Sequence, residues 1–230
     1  MLPEQFCVRM KEMLGEEYAA FYASYDLPKY QALRINPLKT ERDTFLLQAP
    51  FSLNRVPWTT NGYYYSGNDQ PGRHPYHEAG VYYIQEPSAM APAEYLMAEP
   101  GERILDLCAA PGGKSSQIAC SMQGEGLIVC NEIHPARAKI LSENIERMGV
   151  CNALVTNETP QKLSDNFREY FDRILVDAPC SGEGMFRKNE DACDEWSPEN
   201  VENCAARLAE ILDGAAEKLK PGGRVVFSTC

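Results

Sequence analysis

Two cysteines close short apolar runs in this sequence, each in a setting that chemistry can use: Asp177-Ala178-Pro179-Cys180-Ser181-Gly182 and Ser228-Thr229-Cys230. Taken singly, a cysteine is more often an inert small hydrophobe. Here both follow runs that read as neighbouring strands, and a carboxylate stands three positions before one of them. A thiol nucleophile assisted by an acid is the chemically richer reading. Other uses of sulfur fit less well. A paired-thiol redox function lacks its C-x-x-C. Zinc is disfavoured because the cysteines have no close paired spacing, and His74 and His77 sit in a loop-rich segment with no thiol nearby.

A third segment, Asp106-Leu107-Cys108-Ala109-Ala110-Pro111-Gly112-Gly113-Lys114-Ser115, joins a strand to a helix. Small residues and paired glycines let backbone approach a ligand, and the helix that follows offers free N–H groups. The dinucleotide pattern G-x-G-x-x-G is absent, and a Walker A loop needs glycine where Cys108 stands. An isolated Gly-Gly is more often a plain turn. The next strand, however, ends in Asn131-Glu132, an acid placed to accept hydrogen bonds from ribose hydroxyls. Together these indicate a nucleoside-containing cofactor without a pyrophosphate, and S-adenosylmethionine fits.

The elements that must position these residues alternate. Strands are predicted at Arg103–Cys108, Gly126–Asn131, Ala153–Thr156, Arg173–Asp177 and Gly223–Ser228, with helices at Ser115–Met122, Pro135–Met148 and Asn200–Leu219. Near-continuous apolar strands in βαβ repetition predict an α/β fold with a parallel sheet covered on both faces. Ligands bind beyond the carboxyl ends of such strands. The first 75 residues differ. Leu2, Phe6, Met10, Met13 and Leu14 have helical spacing, and a second helix is expected over Glu16–Tyr25, ending before Pro28. Pro37, Pro50, Pro57, Asn61-Gly62 and Pro71-Gly72 then punctuate short strands and loops. Residues 1–75 are therefore read as a small helical or mixed cap, and 76–230 as the main domain.

Charge follows the same division. The 230-residue chain carries −11, yet its first 75 residues hold eight basic and eight acidic side chains, so residues 76–230 carry the whole excess. Net acidity argues against a nonspecific electrostatic binder of nucleic acid. With 44% hydrophobic residues disorder is excluded. No apolar run approaches the roughly 20 residues of a membrane span, and no leader is visible at Met1-Leu2-Pro3-Glu4. Nine cysteines, an odd number without paired spacing, point to a reducing cytoplasm.

The ordered set of motifs resembles the RNA (cytosine-5) methyltransferases of the Sun type, most closely their RsmF-like bacterial branch. Ala32-Leu33-Arg34-Ile35-Asn36 resembles that family's N-terminal motif. His74 to Gly80 and Gln85 to Met90 resemble its lead-in to the catalytic domain. Asp106 to Lys114, Asn131-Glu132, the Pro-Cys segment and the Thr-Cys segment resemble its cofactor and catalytic motifs, in the same order. The resemblance implies a Rossmann-like S-adenosylmethionine-dependent methyltransferase sheet, incomplete at about five parallel strands, acting on carbon 5 of cytosine in RNA. Cys230 would add to carbon 6, Cys180 would assist elimination, Asp177 would hold ring nitrogen 3, and Lys188 would lie near the base. Arg187 or Lys188 fits a phosphate contact as well. The cofactor set would be Cys108, Ala109, Ala110, Pro111, Gly112, Gly113, Lys114, Glu132 and Asp177. Many members carry an acid after the third strand, where this chain reads Thr156-Asn157-Glu158, so Asn157 or Glu158 would substitute. The implied partner is ribosomal RNA or the small ribosomal subunit, with no membrane and no metal, and the protein is expected to be a monomer. Members of the family continue past the Thr-Cys motif through two more strands, so a truncated chain is expected, binding S-adenosylmethionine weakly and methylating little or nothing. A methyltransferase of another substrate class and a noncatalytic RNA-binding or ribosome-assembly module are the alternatives.

Overall fold

The computed structural model describes residues 2–189 and 191–229. Helices α1 (Glu4–Leu14) and α2 (Tyr18–Ala23) come first, then strand β1 (Ala32–Ile35), α3 (Arg42–Gln48), β2 (Asn54–Arg55), β3 (Gly62–Tyr64), α4 (Pro75–Glu78), β4 (Tyr82–Ile84) and α5 (Ala91–Leu96). The alternating part follows as β5 (Arg103–Asp106), α6 (Gly113–Met122), β6 (Leu127–Asn131), α7 (Pro135–Arg147), β7 (Ala153–Thr156), α8 (Pro160–Asn166), β8 (Phe171–Asp177), α9 (Asp191–Glu195), α10 (Pro198–Lys218) and β9 (Leu219–Ser228). Among the described residues no helix is long and apolar enough to cross a membrane.

By internal packing these elements form two units. One comprises Tyr30–Asp177 and Asp213–Phe227 and holds both sheets. Its larger sheet has the order β7-β6-β5-β8-β9, with β5 parallel to β6 and β8, and β6 parallel to β7. The order reverses at β5, the switch point where such sheets open a crevice beyond their carboxyl ends. Ile104, Ile128 and Leu175 of the strands pack with Ile118 and Met122 of α6 and Leu141 and Ile145 of α7. Burial on both sides explains why these strands read as continuous apolar runs.

A second, four-stranded antiparallel sheet, β2-β3-β1-β4, occupies part of the segment read as short strands and loops of a helical or mixed cap. Strands of two to four residues are too short to show the alternation that announces a strand. All four residues of β1 are buried, so both its faces are covered. Leu33 and Ile35 face a core with Phe45, Tyr63 and Tyr82, and Ala32 and Arg34, one residue out of phase, point the other way. The end of the chain also differs from expectation. Strand β9 begins at Leu219, before the Pro221-Gly222 pair read as its preceding turn.

The other unit gathers the residues up to Lys29, Ala178–Leu212 and the segment from Ser228. Phe6 and Met10 of α1 pack with Phe186 and Trp196, extended by Tyr18, Phe21 and Tyr25. Phe6 meets the Phe186 ring edge-on at 5.0 Å, a favoured aromatic geometry.

Candidate active site

Strand β5 ends at Asp106, which is 1% exposed. Its Oδ2 accepts a hydrogen bond from Ser115 Oγ at 2.6 Å, while Oδ1 has no hydrogen-bond partner among the described residues. Burial pushes this carboxyl up to about 6, against the lowering pull of Ser115, of Lys114 and of the Cys108 N–H. A buried polar atom left without a partner is costly, so this oxygen marks a place where the fold alone does not satisfy its own chemistry.

The loop after β5 is fastened from several sides. Ala109 N–H donates to the Asn131 carbonyl at 2.8 Å, and Gly112 N–H to the Ala109 carbonyl at 2.8 Å. The Ala110-Pro111 bond is cis. Asn144 of α7 donates to the Pro111 carbonyl at 2.8 Å, and Arg137 donates to that of Ala110 at 3.0 Å. Gly112 caps α6 with φ +107, a conformation open to glycine and closed to other residues. A Cβ there would also lie 3.1 Å from the Leu141 side chain.

Three more strand ends complete the cradle. Glu132, just past β6, is almost wholly buried. Its Oε1 accepts from the His134 N–H at 2.9 Å and its Oε2 pairs with Arg137 at 3.1 Å. Beyond β7, Asn157 donates to the Glu132 carbonyl at 2.6 Å, whereas Glu158 pairs with Lys162 at 2.9 Å on the solvent side. At the end of β8, Asp177 pairs with Lys114 Nζ at 2.7 Å. The sum of these charges is read by Cys108. Its thiol is pushed up to about 12, first by burial and then by the charges of Asp106, Glu132 and Asp177. Three carboxylates thus converge on one small volume, which makes it electronegative and suited to a cationic ligand.

Every residue expected to hold the cofactor therefore lies in one unit, at the carboxyl ends of β5, β6, β7 and β8. Of those expected to carry the chemistry, Asp177 belongs to that same unit, while Cys180 and Lys188 belong to the other. Cys180 is disulfide-bonded. The Lys188 amine is pulled below the usual lysine range, by burial and then by the charge of Lys29. Within that unit Glu183 accepts from Arg9 at 2.8 Å and from Trp196 Nε1 at 2.9 Å, anchoring the segment between Cys180 and Lys188 to α1. Cys230 lies outside the described residues. Among the described residues no group of three or more His, Cys, Asp or Glu side chains is arranged to hold a metal.

Three contributors had no role of their own in the sequence, although Asn131 and Arg34 stand inside its motifs. Asn131 donates to the carbonyls of Leu107 and Glu158, and its Oδ1 accepts from Thr156 Oγ1 and the Glu158 N–H, so one side chain ties three strand ends. Arg137 clamps loop and acid together. Arg34 reaches α6 from the small sheet, and the signal was available as a lone charge inside the apolar run Ala-Leu-Arg-Ile.

Comparison with known proteins agrees with this geometry. A family model described as 16S rRNA methyltransferase RsmB/F matches residues 93–230, and one described as the N-terminal domain of 16S rRNA methyltransferase RsmF matches residues 2–87. The chain is 38% identical over 239 aligned positions to the ribosomal RNA small subunit methyltransferase F of Escherichia coli O81, covering 99% of this chain and 50% of that protein. The chain thus spans about half the length of the curated relatives it matches. Among solved structures, a methyltransferase homologue from Pyrococcus horikoshii superposes with a TM-score of 0.86 at 30% identity, over 98% of this chain and 72% of that one. The structure of PH0851 gives a TM-score of 0.92 at 26% identity, over 100% and 53%.

Proposed function

We propose the function of this chain from the family it belongs to, the 16S rRNA methyltransferase RsmB/F family: S-adenosylmethionine-dependent methylation of carbon 5 of cytosine in RNA, with ribosomal RNA of the small subunit as the substrate and the cytoplasm as the place of action. The observation that carries it is the electronegative cradle around Cys108. Its carboxylates suit the sulfonium and ammonium charges of the cofactor, and Glu132 suits its ribose. The Gly112 turn and the N–H groups opening α6 suit its carboxylate. When bound, this cofactor supplies an electrophilic methyl group.

The chain's own residues have to make a poor nucleophile attack. Carbon 5 of cytosine gains nucleophilic character when a thiolate adds to carbon 6, and the resemblance gives that addition to Cys230. Asp177 in its acid form donates a hydrogen bond to ring nitrogen 3 and gives it that proton as the thiolate adds, which leaves a carboxylate. Lys114, 2.7 Å from Asp177, keeps that carboxylate oriented. Loss of the carbon 5 proton and expulsion of the Cys230 thiolate restore the ring, with Cys180 as the helper, a role that requires its reduced thiol. Lys188, its ammonium form weakened, is given by the resemblance to the base or its phosphate. Residues 1–75 act as the RNA-associated cap and residues 76–230 as the catalytic domain.

The test measures methyl transfer from labelled cofactor to RNA in reductant. A chain extended to the length of its curated relatives is expected to form 5-methylcytosine. C230A is expected to abolish it, and C180A to trap a covalent RNA adduct. The 230-residue chain itself is expected to bind cofactor weakly and transfer little. Full activity surviving C230A would point to nitrogen or oxygen methylation instead, and cofactor binding without any transfer by the extended chain to a noncatalytic module.

A further inference from the structure

Arg34 is 1% exposed, yet no carboxylate pairs with its guanidinium among the contacts of the described residues. Nε donates to Gln85 Oε1 at 3.0 Å. Nη2 donates to the Gly113 carbonyl at 3.1 Å and to Ser116 Oγ at 2.8 Å, and Nη1 lies 3.7 Å from Cys120 Sγ. Ser116 Oγ in turn donates to the Gly113 carbonyl at 3.1 Å. Burial of a full charge against neutral acceptors is expensive and is poor evidence of a stabilising role. The expense falls at one place, the first turn of the helix that opens the cofactor cradle.

Two further contacts brace the same spot. Gln85 also donates to the Ala89 carbonyl at 3.1 Å, which fixes the acceptor of Nε. Asn36, the residue after β1, donates to the carbonyls of Gly80 and Met148 at 2.8 Å each, which fastens this end of the small sheet to the end of α7. The planar guanidinium is therefore held on one side and free to hold on the other. In a trans peptide the carbonyl and the following N–H point in opposite directions. A charged donor on the Gly113 carbonyl thus fixes the plane of the Gly113–Lys114 peptide and polarises the Lys114 N–H on the opposite, outward side.

We propose that Arg34 is a positioning residue for cofactor binding: from the small sheet it sets the Gly113–Lys114 peptide, and with it the opening turn of α6. This rests on the reading of the cradle as an S-adenosylmethionine site. The Ala32–Asn36 motif then serves the cofactor through α6.

Two substitutions separate geometry from charge. R34M removes both, and R34K keeps the charge but loses the fork. Binding of S-adenosylmethionine to the 230-residue chain is measured by calorimetry, with amide hydrogen exchange followed by mass spectrometry. Both variants are expected to lose at least tenfold in affinity, with exchange of the 113–116 segment accelerated and that of β6 and α7 unchanged. A merely structural role would loosen all three segments together. Should R34M fail to fold, S116A removes one acceptor at little structural cost and is expected to lose three- to tenfold. Affinity within twofold of the parent in folded R34M or in S116A, or uniform loosening, overturns the inference. A parent chain that fails to bind the cofactor overturns the reading beneath it.

Discussion

The two ends of the larger sheet are built from the same residue types to opposite effect. At the amino ends of β5 and β8, Glu99, Glu102 and Asp172 each meet a base. Arg173 holds Glu102 at 2.7 Å and Glu99 at 3.2 Å, and donates to the Leu96 carbonyl at 2.8 Å. Asp172 accepts from Lys220 at 2.5 Å and from the Arg103 N–H at 2.8 Å. Burial alone would raise the Asp172 carboxyl, but the bonds from Lys220 and Arg103 hold it below the ordinary value. Glu102, Asp172, Arg173 and Lys220 line a cavity of about 530 Å³. At the carboxyl ends, Glu132 pairs with Arg137 and Asp177 with Lys114, while Asp106 keeps a raised pKa and an oxygen with no hydrogen-bond partner among the described residues. Complete pairing is what a fold does for itself. Incomplete pairing is what it leaves for a ligand.

The contrast is sharpest in the chemistry. D177N in an extended, active chain is expected to lower methyl transfer by roughly 10²- to 10⁴-fold, the usual worth of a positioned acid, with little change in the urea midpoint. A loss of stability that accounts for the lost activity would put Asp177 with the structural acids. At the other end, R173M leaves two carboxylates behind without their cation and is expected to cost about 2–4 kcal/mol of stability, with cofactor affinity within twofold of the parent. Weakened cofactor binding in a stable R173M would erase the distinction.

The third test uses pH. A carboxyl whose folded pKa is raised contributes stability that is complete below its unfolded value and lost as pH rises through the folded one. Stability of the chain should therefore fall from about pH 4 to pH 6 by roughly 2–3 kcal/mol on account of Asp106, and D106N should remove that fall. Asp172 has the opposite sign, its contribution being lost as pH drops through its depressed value. Parallel pH profiles for D106N and the parent would remove Asp106 from the argument. The smallest effect concerns the residues after β7. N157A is expected to weaken cofactor binding three- to tenfold by releasing Glu132, and E158A by less than twofold, because Glu158 faces Lys162 in solvent. The reverse ranking would return the adenosine contact to Glu158.

Much of this was legible beforehand. The apolar runs placed β5, β6, β7 and β8 within a few residues, and the strand ends pointed to the cradle because a parallel sheet leaves nowhere else for a ligand. Asp106 was in plain view at a strand end, but nothing in the sequence says that one of its oxygens goes without a partner. The small sheet was legible only as short strands among loops, because strands of two to four residues carry too little pattern to show which of them pair. Arg34 and α6 are 79 residues apart at their hydrogen bond to Gly113, and local spacing carries no record of such a meeting. The company that the first 29 residues keep with Phe186 and Trp196 was beyond reach for the same reason.

Asn131 has a consequence of a different kind. Its nitrogen faces two carbonyls and its oxygen two donors, so the amide cannot be turned around, and aspartate cannot stand in for it. Hydrolysis of that one amide, a change of a single mass unit, would set a negative oxygen against the carbonyls of Leu107 and Glu158 and undo the knot between three strands. With Asn131 at 2% exposure, that side-chain nitrogen is kept from the water that would hydrolyse it.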